Sequence, residues 1–506
     1  MQESTSSIYR AMSRFLSGTM ISRLSGLARD IVMAYTFGTS PSVAAFLVSI
    51  RFAHLLRRVL GEGCLQSAFI PLFEELKKED PQKAEAFFKS LQKKLLKVLI
   101  FIVLIVMTVL GLLLLFPLSE GNRHIITYTL VLMPSLIFIC LYGLSASLLQ
   151  CEGYFFLPSI APVAFNGLWL IGAFALSGVP PEMAMTFLSI FLIGGSCLQW
   201  ALLLPKQKKL LPQIHYQEVN IKAIVKPLFL GMIGIGATQL NSALDALFAR
   251  YASLEGPAYL WYAIRIEQLP LALFGIALSG ALLPPLTRAV KAHNMEKATQ
   301  FLNSAIKTTL VVMIPMTFAL IISGKVSVSL LYQRGDFTET SLQETVYCLW
   351  GYGLGLLPSV IILVTAPLFF AFSDYKTPSK ISCQSVLLNI ALNTIGTVVF
   401  NLGPYWVAVA TSISAFFNAW MLNQALPKLI NRKLLEYRGT LIKSLLSSCL
   451  YGVCAIAFES CCSFPQRNFT TQIMLFLVHA CAFVLSVGPF WYAEFKPKTL
   501  VNVSLG

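Results

Sequence analysis

The sequence predicts an all-α polytopic membrane protein, on the evidence of its composition, its recurring apolar stretches and the charge of its connections. Of the 506 residues, 56% are hydrophobic and only 12% are charged, and the mean hydropathy is +0.72. Soluble domains carry roughly 25% charged residues, so this chain has too little polar surface to cover a water-soluble particle. The composition also excludes disordered, collagen-like and disulfide-scaffold classes.

Apolar stretches of about 20 residues, the length that crosses the hydrocarbon core, recur along the whole chain. Neither a separate soluble domain nor a cleavable signal peptide is evident among them. We predict about fourteen transmembrane helices, near 14–37, 42–64, 95–117, 124–149, 155–178, 183–204, 224–250, 258–284, 301–323, 343–371, 381–400, 405–426, 440–458 and 470–493.

The connections between these stretches alternate in charge. The chain has 38 Lys+Arg against 23 Asp+Glu, a formal net charge of +15. With the N-terminus placed inside, the inner connections and termini hold 26 of the Lys and Arg residues and the outer connections hold 4. The positive-inside rule therefore predicts that both termini are cytoplasmic. Because most of the surplus charge sets orientation, we expect no nucleic-acid partner.

The residues that usually form metal or catalytic sites are scattered. The eleven cysteines include no C-x-x-C spacing, and the five histidines form no ligand cluster. No nucleophile–base pair emerges either. We therefore expect no transition-metal site, no cofactor and no enzymatic activity.

The two parts of the chain match weakly at a shift of 214 residues: Ile50-Arg51 and Pro71-Leu72 correspond to Ile264-Arg265 and Pro285-Leu286. An even number of helices in each repeat implies parallel repeats around a central cavity, which is a transporter architecture. We predict an N-terminal lobe over 1–215 (TM1–6) and a C-terminal lobe over 216–430 (TM7–12). Residues 431–506 would add TM13, TM14 and a cytoplasmic tail.

Eight Lys and Arg residues fall within the predicted spans. A charge at the centre of a spanning helix costs roughly 2.5–3.5 kcal/mol, so such residues should face a cavity or a partner. We expect Arg51 and Lys307 to snorkel toward helix ends. Two acidic residues at helical spacing predict supporting ion pairs, Arg23 with Asp30 and Arg58 with Glu62.

Four of these eight residues indicate a ligand. Several guanidiniums directed into one cavity would repel one another without an anion, and the planar guanidinium fork suits phosphate oxygens. We therefore expect an anionic, phosphorylated substrate bound by Arg23, Arg29, Arg57 and Arg265.

A second set of polar residues in the spans suits a hard cation such as sodium. Carboxylate, amide and hydroxyl oxygens are the ligands that such ions prefer. The set comprises Asp245, Asn389, Asn393 and Thr411. Hydrogen bonding between helices explains these residues equally well.

Several motifs resemble those of the MurJ (MviN) family of lipid II flippases, over nearly the whole chain. Those of the first two spans are the most specific. They are Ser22-Arg-Leu-Ser-Gly-Leu-Ala-Arg-Asp30, then Leu55-Leu-Arg-Arg58 with Glu62-Gly63 and Ala68-Phe-Ile-Pro71, then Leu260-Trp-Tyr-Ala-Ile-Arg265 with Gln268-Leu-Pro270 and Phe274-Gly-Ile-Ala277, and finally Asp374-Tyr-Lys-Thr-Pro378.

The resemblance implies the multidrug/oligosaccharidyl-lipid/polysaccharide exporter fold, with two six-helix lobes in a V and two C-terminal helices. It implies movement of lipid II, a polyprenyl-diphosphate-linked peptidoglycan precursor, to the outer leaflet of the bacterial inner membrane by alternating access, for cell-wall synthesis. It assigns substrate binding to Arg23, Arg29, Arg57 and Arg265, and a sodium site to Asp245, Asn389, Asn393, Val407 and Thr411. Ala44 and Asn393 stand where the family commonly has carboxylates, which weakens the expectation of sodium coupling.

Two other functions remain open from the residues. The same fold could export another polyprenyl-linked saccharide, or the chain could be a non-transporting scaffold for envelope synthesis. The arginines disfavour a drug exporter, whose cavity should be acidic and aromatic. We expect a monomer in the membrane, with lipid II and the peptidoglycan-synthesis machinery as its partners.

Overall fold

A computed structural model gives the fold, and it describes residues 5–60, 64–211, 224, 239–426, 437–461 and 468–496. The side chains of 5–16, 54, 56–60, 64, 67 and 461 lie outside this description. Across the described ranges the chain forms helices joined by short turns and contains no strand. The predicted all-α fold is confirmed.

The chain divides into two compact units. The first comprises Met1–Tyr259 and Arg334–Thr338, and the second comprises Leu260–Gln333 and Glu339–Gly506. The predicted lobe boundary at residue 215 falls in a stretch that is only partly described, so the predicted lobes stay a prediction.

The first unit holds helices α1 to α11. They are α1 (Thr5–Phe37), α2 (Pro41–Leu60), α3 (Cys64–Glu79), α4 (Pro81–Leu113), α5 (Glu120–Leu132), α6 (Ser135–Cys151), α7 (Phe156–Ile160), α8 (Pro162–Ala175), α9 (Pro181–Ala201), α10 (Leu204–Leu210) and α11 (239–252).

The second unit holds α12 from Leu260 onward and the helices that follow. They are α12 (Gly256–Pro270), α13 (Ala277–Lys291), α14 (Met295–Ile322), α15 (Gly324–Tyr332), α16 (Glu339–Leu354), α17 (Leu356–Ala371), α18 (Lys376–Asn393), α19 (Tyr405–Gln424), α20 (Arg438–Cys461) and α21 (Phe469–Phe495). Two π-helical segments, Leu271–Ile276 and Thr394–Val399, extend α12 and α18.

Ten helical stretches in the described residues are long and apolar enough to cross a membrane, and the bent pair α5–α6 makes eleven. These eleven coincide with eleven of the fourteen predicted spans. The helices α1 and α2 form where the first two spans are predicted, although charged residues interrupt them. The predicted span at 224–250 lies partly outside the described residues, so the count of fourteen stays a prediction.

Proline explains the main break in the first unit. The pair α5 and α6 bends by 46° at Pro134, because proline lacks a backbone N–H and its ring clashes with the preceding turn. In the second unit, Pro270 ends α12 and a π-helical segment follows. Such segments are common at functional sites, and this one begins six residues after Arg265.

Two glycines shape a turn at the end of α1. Gly38 and Gly335 have φ of 57° and 58°, a conformation that glycine adopts without strain. The backbone N–H of Asp336 donates to the carbonyl of Tyr35 at 3.0 Å. A Cβ on Gly38 would collide with the carbonyl of Asp336, and one on Gly335 with that of Tyr35. Segment 334–338 therefore lies directly against the end of α1 within the first unit.

Candidate functional site

Arg29 is the best-defined charged residue of the first unit. Its side chain is buried in α1, with the residue 6% exposed and neighbouring Asp30 1% exposed. The guanidinium Nη2 lies 2.7 Å from Asp30 Oδ1, and Nε donates to the same oxygen at 3.0 Å. An ion pair in this setting compensates a charge that would otherwise be very costly to bury.

The helix α8 completes the surroundings of Arg29. Its Nη1 donates to the amide oxygen of Asn166 at 3.0 Å, and its guanidinium carbon lies 4.1 Å from the ring centroid of Trp169. Asn166 in turn donates to the Ser25 hydroxyl at 2.9 Å and the Ser22 carbonyl at 3.2 Å. These bonds fasten α1 to α8, so we name Arg29, Asp30, Asn166 and Trp169 the Arg29 cluster.

The Arg29 cluster corrects one predicted pairing. Helical spacing favoured Arg23 as the partner of Asp30, whereas the structure pairs Asp30 with Arg29. Arg23 is exposed. The physical reason is the length of the arginine side chain, which bends back to reach the carboxylate of the next residue. Asn166 and Trp169 were missed by the sequence reasoning, although a lone amide inside an apolar span is itself a signal.

Arg51 does not snorkel as expected. It is 9% exposed, and its Nη1 donates to both the carbonyl and the hydroxyl oxygen of Ser242 at 3.1 Å. Since Ser242 is on α11, this arginine joins α2 to α11 within the first unit. The remaining predicted charges of this region, the side chains of Arg57 and Arg58 and the whole of Glu62, lie outside the described residues.

Arg265 is the predicted substrate-binding residue of the second unit. It is half-buried on α12, and its guanidinium carbon lies 4.3 Å from the ring centroid of Trp261, one turn earlier. A cation over an indole face is attracted by the ring quadrupole. Glu267, two residues on, is 7% exposed. The structure therefore adds a buried carboxylate on the same helix as Arg265, a residue that the candidate site had not included.

The predicted sodium ligands of the second unit do lie together. Asn393 Nδ2 donates to Asn389 Oδ1 at 2.8 Å, and Asn389 Nδ2 donates to the Thr411 hydroxyl at 3.3 Å. That hydroxyl donates to the Val407 carbonyl at 2.9 Å. Asn389, Asn393 and Val407 are at most 1% exposed. The arrangement is a hydrogen-bonded chain joining α18 to α19.

Asp245, the remaining predicted sodium ligand, belongs to the first unit. It is 5% exposed, and its Oδ2 accepts from Asn241 Nδ2 at 3.3 Å along α11. Across the part of the chain that the structure describes, no group of three or more His, Cys, Asp or Glu residues could hold a metal ion.

A many-spanning helical fold with guanidiniums inside its membrane helices defines a polytopic transporter. A family model described as "Lipid II flippase MurJ" matches residues 33–480, which is most of the sequence. The chain belongs to the MurJ family of lipid II flippases.

Two individual relatives and one solved structure support this family assignment. The chain is 35% identical over 397 residues to a probable lipid II flippase MurJ of Chlamydia trachomatis, covering 78% of this chain and 74% of that one. It is 31% identical to the Chlamydia pneumoniae counterpart, over 98% and 94% of the two chains. A lipid II flippase MurJ structure in an inward closed conformation matches with a TM-score of 0.79 and 25% identity, over 95% of this chain and 99% of that one.

More distant structures share the fold alone. An inward-facing multidrug resistance MATE family transporter of the MOP superfamily matches with a TM-score of 0.63 at 14% identity, over 82% of this chain and 100% of that chain. The exporter fold expected from the sequence motifs is therefore confirmed.

Proposed function

We propose that this protein is a lipid II flippase that moves the polyprenyl-diphosphate-linked precursor from the cytoplasmic to the outer leaflet by alternating access. Membership of the MurJ family supports this function. The observation that carries it is a set of arginines within membrane helices. A cation in the hydrocarbon core is costly, so such residues face a cavity, a partner or a ligand. A diphosphate head group supplies the anion that such residues require.

The arginines divide into two roles in this proposal. Arg23 is exposed and Arg265 half-buried, so each can offer its guanidinium fork to diphosphate oxygens. Arg57 is assigned the same role because it lies in the Leu55–Arg58 motif that resembles the family. Arg29 is already engaged by Asp30 and Asn166, so it fixes α1 against α8 and binds substrate by exchanging Asp30 for a phosphate oxygen.

Transport on this proposal needs no chemical step, so the protein is not an enzyme. The polyprenyl tail stays in the bilayer while the head group crosses. The protein acts as a monomer in the bacterial inner membrane, with both termini in the cytoplasm. Peptidoglycan-synthesis enzymes on either side supply and consume its substrate.

Sodium coupling is the weaker part of the proposal. Amide and hydroxyl oxygens of Asn389, Asn393 and Thr411 would turn toward a sodium ion in the second unit, and Asp245, the remaining predicted ligand, belongs to the first unit. In the second unit these groups hydrogen-bond to one another, so ion binding would have to replace those bonds.

The test is the leaflet distribution of lipid II in cells depleted of their own flippase and carrying this chain. Arg265→Ala and Arg23→Ala should each lose transport at wild-type membrane abundance. Loss of one charge-assisted hydrogen bond, about 1.5–3 kcal/mol, weakens substrate binding about 10- to 150-fold.

Arg123→Ala is the matched control, since this arginine is exposed at the start of α5 and should transport normally. Outer-leaflet lipid II that this chain fails to restore in the depleted cells would contradict the proposal, as would normal transport by both Arg265→Ala and Arg23→Ala. Appearance of another polyprenyl-linked saccharide in the outer leaflet only when this chain is present, without lipid II, would identify a different substrate on the same fold.

A further inference from the structure

A buried hydroxyl–imidazole cluster joins the two C-terminal helices to the junction of α14 and α15. The Ser323 hydroxyl at that junction lies 2.8 Å from His479 Nδ1 on α21. The same hydroxyl is hydrogen-bonded to the Tyr451 hydroxyl on α20. His479 is 3% exposed and Tyr451 1% exposed. A half-buried serine hydroxyl therefore meets two nearly fully buried side chains from separate helices.

The walls around this cluster are apolar and aromatic. The rings of Tyr451 and Phe483 meet edge to face at 5.3 Å, and those of Phe483 and Trp491 at 5.6 Å. Trp491 Nε1 donates to the Val311 carbonyl at 2.9 Å, which continues the contact along α14. Ala455 and Ala482 fill the remaining core. The packing of α20 and α21 on α14 thus depends on a closely packed, largely apolar interface.

One nitrogen of the imidazole is left over. Nδ1 is engaged by Ser323, whereas Nε2 is buried and has no hydrogen-bond partner among the described residues. A neutral histidine carries one donor and one acceptor nitrogen, but a protonated histidine carries two donors. In the neutral tautomer that carries its hydrogen on Nδ1, the ring donates to Ser323 and Nε2 is an unprotonated acceptor; protonation would place a buried N–H donor there without an acceptor.

Few charged groups are placed to compensate a cation at this position. The carboxylate of Glu459 on α20 interacts electrostatically with the imidazole. On α14, Lys307 forms an ion pair with Glu494 of α21, with Nζ 2.7 Å from Oε2. The titratable and charged residues of the helices packed here are Arg438, Lys443, Cys449, Tyr451, Cys454, Glu459 and Cys461 on α20, Glu296, Lys297 and Lys307 on α14, Lys325 and Tyr332 on α15, and Cys481, Tyr492 and Glu494 on α21.

We propose that His479 is a proton-binding site, and that its neutral form holds α20 and α21 against the α14–α15 junction. On protonation the new Nε2–H must find water or the Glu459 carboxylate, since a buried charge without such a partner is unstable. A ring that turns toward either one gives up its hydrogen bond to Ser323, the hydroxyl that also bonds to Tyr451. Proton binding therefore loosens the helix pair, whatever substrate the protein carries.

Hydrogen exchange on the full-length protein in lipid nanodiscs tests this inference. Exchange rates, normalised to the intrinsic rate at each pH, are measured on peptides covering 469–487 from pH 8 to pH 4.5. We expect the wild type to lose at least tenfold of its protection there, whereas His479→Gln should keep constant protection. His124→Gln, the matched control at a partly exposed histidine of α5, should respond as the wild type does.

Glu459→Gln provides a second test, which applies even if His479→Gln does not fold. Removal of the carboxylate disfavours the imidazolium, so the midpoint of the protection loss should move to lower pH. Protection that is independent of pH in the wild type would overturn the inference. So would a pH response that survives His479→Gln, or a midpoint that Glu459→Gln leaves in place.

Discussion

At the scale of single residues, the Arg29 cluster shows how a membrane helix tolerates a cation. The guanidinium donates to Asp30 through Nε and Nη2 and to Asn166 through Nη1, while Trp169 lies under its plane. Each contact replaces part of the lost hydration, and the neighbouring carboxylate cancels the charge. Removal of one partner should therefore cost far more than the loss of a surface ion pair.

Replacing Asp30 with asparagine tests this point. Asp30→Asn leaves a buried guanidinium without its counter-charge, and we expect a destabilisation of about 3–5 kcal/mol. The measurement is thermal unfolding of the purified protein in detergent.

Glu79→Gln is the control for this prediction. It removes an exposed i,i+4 pair with Lys83 at 3.6 Å and should cost less than about 1 kcal/mol. Equal unfolding temperatures for the two variants would show that the Arg29–Asp30 pair contributes no more than a surface pair.

Sequence reasoning located the charged residues of the site but not their partners. Arg29 and Asp30 are visible as charges in an apolar stretch, whereas Asn166 is 137 residues away from Arg29. Periodicity relates residues along one helix, and it says nothing of which helix packs alongside. For the same reason the sequence predicts that Arg51 snorkels, whereas in the structure its guanidinium donates to Ser242 on another helix.

At the scale of elements, Asp374 organises the start of α18. Its carboxylate accepts from the backbone N–H of Thr377 at 3.1 Å, which satisfies one of the free N–H groups of the first turn. Hydrogen bonds from the Thr377 side chain and backbone lower the pKa of Asp374 below its usual value. The Asp374–Pro378 motif, which resembles that of the family, therefore has a structural role at the start of α18.

The lowered pKa has a defined consequence for stability. Because the folded-state pKa is depressed, the stabilisation by Asp374 is complete above the unfolded-state pKa and is lost as the pH falls through the folded value. We expect hydrogen-exchange protection of the first turn of α18 to be constant near neutral pH and to fall below about pH 4, the usual range of aspartate.

Asp374→Asn separates the charge from the hydrogen bond, since asparagine serves equally well at helix starts. This variant should keep the protection of the turn at pH 7 and lose its dependence on pH. A pH dependence that persists in the variant would assign the effect to another group.

Helices were easier to predict than their interruptions. The apolar length of α4, α14 and α21 is explicit in the sequence, and each helix forms where it was expected. The bend between α5 and α6 and the π-helical segments depend on how proline and glycine are packed. Gly396, for example, has no room for a Cβ against the Trp406 ring, a contact that spacing along the chain does not reveal.

At the scale of the whole molecule, the distribution of charge makes a prediction about orientation. The inner connections carry most of the lysines and arginines, so both termini should lie in the cytoplasm. A fluorescent protein fused after Gly506 should fluoresce, and alkaline phosphatase fused there should be inactive. A chain truncated after Leu118 and fused to alkaline phosphatase should be active, because this connection is predicted to be outside. The opposite pattern would reverse the orientation.

The Arg29–Asp30 pair also bears on how the membrane voltage acts on α1. Moving one elementary charge across 100 mV involves about 2.3 kcal/mol of electrical work. The bonded pair has no net charge, so its displacement along the field does almost no work. Arg23 is on the same helix and, without a bound anion, carries a net charge on which the field acts. A negatively charged head group bound at Arg23 would cancel that sensitivity, which would make the empty carrier more responsive to voltage than the loaded one.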